Sequence, residues 1–259
     1  RCLREPEEPR RTSIRLNECQ RDADPHIGSN FPEGGCMIGI DLSGRTALVV
    51  GGGRGIGAAT AKALAANGAR VAVNYLCGQE TADGVLAEIR RHGGTAMLAC
   101  ADVRDRAAVD AMVRSVEKEL GGIDILVNNA NISFPVKPFT EFTWEEFEAK
   151  ISGEMQALVN CCQAVLPFML AKRAGRLILV SSSLSRSPGA GFSAHAAAKG
   201  AMDSMAKVMA TELGPQGVTV NVIGPGLTLT DATKHQPREM HEQIAAFTPL
   251  RRLGAPEDV

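Results

Sequence analysis

No stretch of this 259-residue chain stays apolar for long enough to span a bilayer, and none combines the basic start and apolar core of a secretory signal. Nothing signals membrane residence or export, so the expected compartment is the cytoplasm. Excess charge of one sign is also missing. The formal net charge is −1, which gives neither nucleic acid nor an anionic membrane a reason to bind. No Cys-x-x-Cys pair occurs, and no His/Cys cluster has metal-ligand spacing, so no metal is expected. The seven cysteines include the adjacent Cys161 and Cys162 and read as free thiols of a reducing compartment, not as a disulfide framework.

What the chain does contain is a glycine cluster in a particular setting. Residues 46–57 read Thr-Ala-Leu-Val-Val-Gly-Gly-Gly-Arg-Gly-Ile-Gly, and a helix-forming run follows at once from Ala58 to Ala66. Glycines lacking Cβ let the backbone turn tightly and approach a ligand. The helix start then offers free N–H groups and a partial positive charge, the usual seat of a dinucleotide pyrophosphate. The length and an apolar content of 44% suit one large α/β domain.

Strand-like and helix-like patterns alternate along the chain. Strands are expected near 46–50, 70–74, 96–100, 124–128, 176–181 and 218–223, and helices near 56–67, 79–92, 105–120, 143–170, 193–213 and 231–246. Thr143 and Glu146 have the form of a capping box, and Gly68, Gly93, Gly94, Gly121, Gly122 and Gly214 stand where helices should stop. This alternation predicts an α/β fold: one doubly wound parallel sheet of Rossmann type, with its ligand at the carboxyl ends of the strands.

Both ends differ from this pattern. Residues 1–36 hold six Arg, seven Asp or Glu, three Cys and four Pro without apolar periodicity, a composition that cannot bury enough surface to order itself. They are expected to be a disordered or non-native extension, with the domain at 37–259. Met37 as the natural start and a genuine disordered extension both fit these residues, and the mass of the natively expressed protein separates them. At the other end, Pro256-Glu-Asp-Val259 reads as the first turn of a helix.

Several short motifs follow one another in order: Gly51-x-x-x-Gly55-x-Gly57, Asp102-Val103, Asn128-Asn129-Ala130, Pro225-Gly226-x-x-x-Thr230 and the run Arg252 to Val259. In order and spacing, residues 41–259 resemble the short-chain dehydrogenase/reductase superfamily, most closely its 3-oxoacyl-carrier-protein reductase type. The resemblance implies that Gly51, Gly53, Arg54, Gly55, Ile56 and Gly57 form the coenzyme loop. It assigns Asp102 and Val103 to the adenine, and Asn129 and Ala130 to the coenzyme. Pro225, Gly226 and Thr230 fall to the nicotinamide amide. It further implies a small-molecule carbonyl substrate, and a homodimer or homotetramer if the C-terminus is complete in vivo. Val50 stands where the family loop has Thr, Asn131 stands where it has Gly, and the family's final strand is lacking.

An acidic residue about 20 positions past the glycine loop would bind a ribose 2′-hydroxyl and favour NAD. Here the second strand ends at Asn74-Tyr75-Leu76, so no carboxylate repels a 2′-phosphate, and Arg54 is a candidate partner for one. NADP is the favoured cofactor, with NAD the alternative.

In the family, an Asn, a Ser, a Tyr and a Lys carry out the chemistry. Ser182 and Lys199 match that pattern, with Ser181 and Ser183 flanking the former. His195 occupies the Tyr position, and Glu154 the Asn position. His195 and Lys199 are four apart on one helix and face the same way. A histidine titrates near neutrality, with an unperturbed pKa of about 6.5, but the Lys199 cation disfavours a second positive charge. Glu154 close to Lys199 is expected to cancel that charge and let His195 protonate more readily. Two readings stand: an NADP(H)-dependent carbonyl reductase using Ser182, His195, Lys199 and Glu154, or a cofactor-binding scaffold or sensor that has lost catalysis. Trp144 is expected to be a packing residue, and His235 and His241 to be solvated. The stretch 231–250 is expected to line the substrate pocket.

Overall fold

Runs of small and branched apolar residues form the centre of the molecule. The computed structural model describes residues 40–187 and 189–259. The expectations for residues 1–36 and for Met37 lie outside the described residues. The strands are β1 (Thr46–Val50), β2 (Arg70–Tyr75), β3 (Thr95–Cys100), β4 (Ile125–Asn128), β5 (Gly175–Val180) and β6 (Val218–Ile223). All pair in parallel, in the order β3-β2-β1-β4-β5-β6. The expected doubly wound sheet is therefore present.

Side-chain alternation along β1 divides the core in two. Ala47 and Val49 point towards α1 (Gly55–Ala66) and α2 (Gln79–Arg91), where they meet Ala61, Val85 and Ile89. Leu48 and Val50 point the other way, towards α3 (Arg106–Leu120), α4 (Trp144–Lys172) and α5 (Ser193–Leu213), where they meet Val113, Leu158 and Met202. Each fully buried Leu, Ile or Val stabilises by about 1.5–3 kcal/mol. The strand order reverses between β1 and β4, and Val50 pairs with Asn128. Gly51 and Asn129 consequently leave the sheet side by side, where a doubly wound sheet opens a crevice.

Local signals explain most element ends. The N–H of Glu146 donates to Thr143 Oγ1 at 3.3 Å, and the N–H of Thr143 donates to the Glu146 carboxylate at 2.9 Å, closing the capping box of α4. Two expectations need correction. Gly214 does not stop α5 in a left-handed turn. Its φ is −53°, it leads into a 3-10 turn at Gly214–Gln216, and Gly217 takes the positive φ of 84°. A Cβ on Gly217 would lie 1.9 Å from the Arg173 carbonyl, so glycine is required there. The last long helix, α6 (Arg238–Phe247), starts well after the expected 231. Pro237 keeps the residue before it out of the helical region. Thr233 Oγ1 accepts from the Thr230 N–H at 2.9 Å and donates to the Thr228 carbonyl at 2.6 Å, which holds the intervening chain in turns. Pro256–Asp258 forms a 3-10 turn, braced by an Arg252–Asp258 contact of 2.8 Å.

Candidate active site

Behind β1, the chain turns through Gly51, Gly52 and Gly53 into Arg54 and then α1, whose first turn holds Gly55, Ile56 and Gly57. The turn is anchored on both sides. The N–H of Gly51 donates to Asn74 Oδ1 at 3.1 Å, and Asn129 Nδ2 donates to the Gly51 carbonyl at 3.0 Å. A Cβ on Gly57 would stand 2.2 Å from that same carbonyl. Arg54 is exposed and makes no side-chain cap, and the first turn of α1 carries no acid. The N–H groups that open α1 are thus left for an anion, and the turn fits a dinucleotide pyrophosphate.

The other expected cofactor residues surround this turn unevenly. Asn74 is 2% exposed, and its Nδ2 is spent on the carbonyls of Ala99 at 3.0 Å and Ala101 at 3.2 Å. Asn74, at the end of the second strand where a cofactor ribose is expected, braces the loop from within the sheet. Both carboxylate oxygens of Asp102 are engaged by Arg104, at 2.9 and 2.6 Å, and this pairing holds the carboxyl below its ordinary pKa. Val103 packs in the core. Ala130 lies against Gly51, and Thr230 against Gly55. The Pro225 carbonyl accepts from the Ser183 N–H at 2.8 Å, which ties the 225–230 segment and Gly226 to the serine turn. An open cavity of about 370 Å³ lies along the outer side of α1, lined by Gly55, Ala58, Lys62, Thr230, Lys234 and Pro256. None of Ser182, His195 or Lys199 lines it.

His195 and Lys199 lie instead among buried charges between α4 and α5, whereas Ser182 opens the 3-10 turn at Ser183–Ser185 that follows β5. Lys199 Nζ donates to Glu154 Oε2 at 3.1 Å and to the Val180 carbonyl at 3.0 Å, which leaves one N–H unspent among the described residues. Ser181 Oγ donates back to the Lys199 carbonyl at 3.4 Å, whereas Ser182 Oγ accepts from the Leu184 N–H at 3.2 Å and keeps its own O–H free among the described residues. Of the two, Ser182 is the one with a hydroxyl to offer. The chain's single tyrosine, Tyr75, is at the end of β2, so no phenol enters this cluster.

His195 is buried in the first turn of α5 and stacks on Phe134, with ring centres 4.8 Å apart and 12° between planes. Its Nδ1 is buried with no hydrogen-bond partner among the described residues. Burial pushes the imidazole pKa down to about 4, helped by the charges of Lys150 and Lys199 and opposed by Glu154. Glu154 acts in the expected direction, favouring protonation of His195, but burial and the two lysines outweigh it. Glu154 is shared with a second lysine.

That lysine is Lys150, one turn earlier on α4 and 0% exposed. Its Nζ donates to Glu154 Oε1 at 2.5 Å, Asn131 Oδ1 at 2.7 Å and the Ile132 carbonyl at 2.7 Å. The Ile132 N–H donates to Glu154 Oε1 at 3.0 Å. Burial lowers the Lys150 pKa to about 8 against the pull of Glu154. Burial acts to raise the Glu154 carboxyl, but Lys199 and Lys150 outweigh it and hold the group ionised. Sequence reasoning missed Lys150 as a site residue. The available signal was its spacing to Gly153, Glu154, Ala157 and Cys161, the buried stripe of α4. Trp144, expected to pack, is 67% exposed and only stacks beside Phe147. His235 is exposed, and His241 Nε2 lies 3.1 Å from the Thr233 carbonyl, away from this cluster.

Comparison with known proteins agrees with this architecture. The short chain dehydrogenase family profile matches residues 45–241. A 3-oxoacyl-[acyl-carrier-protein] reductase of Synechocystis sp. is 38% identical over 218 residues, covering 84% of this chain and 87% of the relative. A solved dehydrogenase/reductase from Sinorhizobium meliloti superposes with a TM-score of 0.77 at 37% identity, over 85% of this chain and 86% of its own. A solved 7α-hydroxysteroid dehydrogenase, complexed with NADH and 7-oxo glycochenodeoxycholic acid, gives a TM-score of 0.80 at 31% identity, over 85% of this chain and 86% of its own. This chain belongs to the short-chain dehydrogenases, oxidoreductases that work with a nicotinamide cofactor.

Proposed function

We propose that the protein is an NADP(H)-dependent reductase that converts a carbonyl, in a 3-oxoacyl or ketone substrate, to an alcohol. The observation that carries this reading is the gathering of buried His195, Lys199 and Glu154 around the loop after β4, whose Asn129 anchors the glycine turn and whose Ile132 and Phe134 meet Glu154 and His195. The nicotinamide supplies hydride when bound. The turn at 51–57 and the opening of α1 hold its pyrophosphate, and the unspent N–H of Lys199 serves a ribose hydroxyl. The free O–H of Ser182 orients the substrate carbonyl. His195 donates a hydrogen bond to the carbonyl oxygen as neutral imidazole, a role a histidine with a lowered pKa can fill; as it passes that proton to the forming alkoxide, its other ring nitrogen takes one from water, so the ring stays neutral. Imidazole is shorter than phenol, so the substrate sits deeper or one water bridges the gap.

Preference for the 2′-phosphate rests on two features. The residues after Asn74 bring no carboxylate, since Tyr75, Leu76 and Cys77 follow, and the Arg54 side chain is exposed at the start of α1. The resemblance to reductases of the 3-oxoacyl type supports both the substrate class and a homo-oligomer. NADPH and NADH oxidation measured with a panel of 3-oxoacyl thioesters, ketones and quinones tests the reading. Turnover with NADPH in preference to NADH is expected. Tight NADPH binding with no turnover on any substrate sinks it.

That last outcome is the prediction of a second reading, a cofactor-binding scaffold or sensor. It rests on one observation: His195 Nδ1 has no partner, so nothing in the described residues returns a proton to the ring.

A further inference from the structure

Lys150 has no task in the reading above, yet it is a fully enclosed lysine. Asn131 Oδ1, the Ile132 carbonyl and Glu154 Oε1 use all three of its N–H donors. Three acceptors around one nitrogen require the ammonium form, because a neutral amine would turn its lone pair towards one of them. The same nitrogen lies 4.6 Å over the Phe134 ring, which stacks on His195.

Stability alone does not account for this arrangement. Replacing a buried ion by apolar atoms of similar volume is often neutral or stabilising. A pair formed by Glu154 and Lys199 would already be neutral. The second lysine brings the cluster to a net charge of one positive unit.

We propose that Lys150 is a positioning residue of this site: it occupies Oε1 of Glu154 so that Oε2 serves Lys199, keeps the cluster cationic, and fixes Phe134 against the His195 ring. Its catalytic relevance rests on the reading of His195 as the proton donor, but its effect on the ring does not. The charged groups that act on His195 are Lys150 and Glu154 from α4 and Lys199 from α5; the loop after β4 presents the uncharged Phe134. The cation next to Phe134 keeps the imidazole neutral and its plane fixed, a state that donates one N–H and takes up no proton from solvent at neutral pH.

The test is an NMR titration of the His195 ring, its signal identified by its loss in His195→Asn. In the native protein the midpoint should lie well below that of an ordinary histidine, and an ordinary midpoint overturns the proposal. In Lys150→Met the midpoint should rise by about one unit or more, because the neighbouring cation is gone. Lys150→Gln, which is neutral but still able to donate to Glu154, should raise it likewise and serves if the methionine variant does not fold. An unmoved midpoint in either folded variant overturns the proposal, and should neither fold, the native midpoint decides. Turnover is read separately. Unchanged NADPH oxidation in His195→Asn removes His195 from the chemistry and leaves the influence of Lys150 on the ring standing, whereas an unmoved ring titration does the reverse.

Discussion

Oε2 of Glu154 accepts a hydrogen bond from Nζ of Lys199 at 3.1 Å, with the two side chains only 1% and 3% exposed. The same carboxylate meets Lys150 through its other oxygen at 2.5 Å. One anion therefore serves two cations away from water, and its removal leaves both without a counter-charge.

Glu154→Gln should cost about 3–5 kcal/mol of stability, the range for breaking a buried ion pair by removing one partner. Urea unfolding checks this. A midpoint equal to that of the native chain would mean that water reaches both lysines.

With His195 as the proton donor, His195→Ala should lower turnover by about 10²-fold or more while leaving NADPH affinity nearly unchanged. Steady-state rates and fluorescence titration of NADPH separate the two effects. A parallel loss of affinity and rate would assign the histidine to binding.

Stability should depend on pH through the same ring. The folded pKa of about 4 lies below the unfolded value, about 6.5, so between them the unfolded chain binds more protons. Stability is complete above the unfolded value and falls as pH drops towards the folded one, by at most about 1.4 kcal/mol per pH unit from this group. Denaturation across about pH 4–6.5 should show a shallower slope in His195→Asn than in the native chain, since that substitution removes the titrating group. Equal slopes would place the ring in solvent.

Gly57→Ala should weaken cofactor binding and stability together. Its new methyl would lie 2.2 Å from the Gly51 carbonyl and 2.6 Å from Asn129 Nδ2, both anchored parts of the turn. Overpacking of this kind costs about 1–3 kcal/mol. Thermal unfolding with and without NADPH measures both effects. A variant with native stability and native affinity would show that the turn gives way freely.

The sheet was legible because buried parallel strands read as apolar runs closed by glycine or a polar turn. Alternation of polar and apolar residues was not needed: Ala47, Leu48, Val49 and Val50 are apolar without a break, and both faces of β1 are covered. The start of α6 was not legible, because the bonds of Thr233 to residues 228 and 230 are set by loop geometry that composition does not encode. Gly214 misled because a glycine after a helix signals a stop without saying which of two nearby glycines takes the positive φ. At the site, the pairing of Glu154 with Lys199 was implied only by the family resemblance, which puts them at the Asn and Lys positions; spacing within two separate helices does not bring them together. Lys150 could not be inferred from type alone, since lysines are nearly always exposed. Asn131 was visible only as a departure from a motif, and its role came with the bond to Lys150.

The shared carboxylate also imposes an order on change over time. A chain that loses Lys150 first keeps Glu154 and Lys199 as a matched pair, whereas one that loses Glu154 first strands two cations in a dry interior. Read in the direction of gain, a lineage acquiring these residues keeps its charges matched only if the glutamate precedes the second lysine. Neighbouring substitutions that share a partner are not additive, so the effect of changing any one of these residues is conditional on the other two.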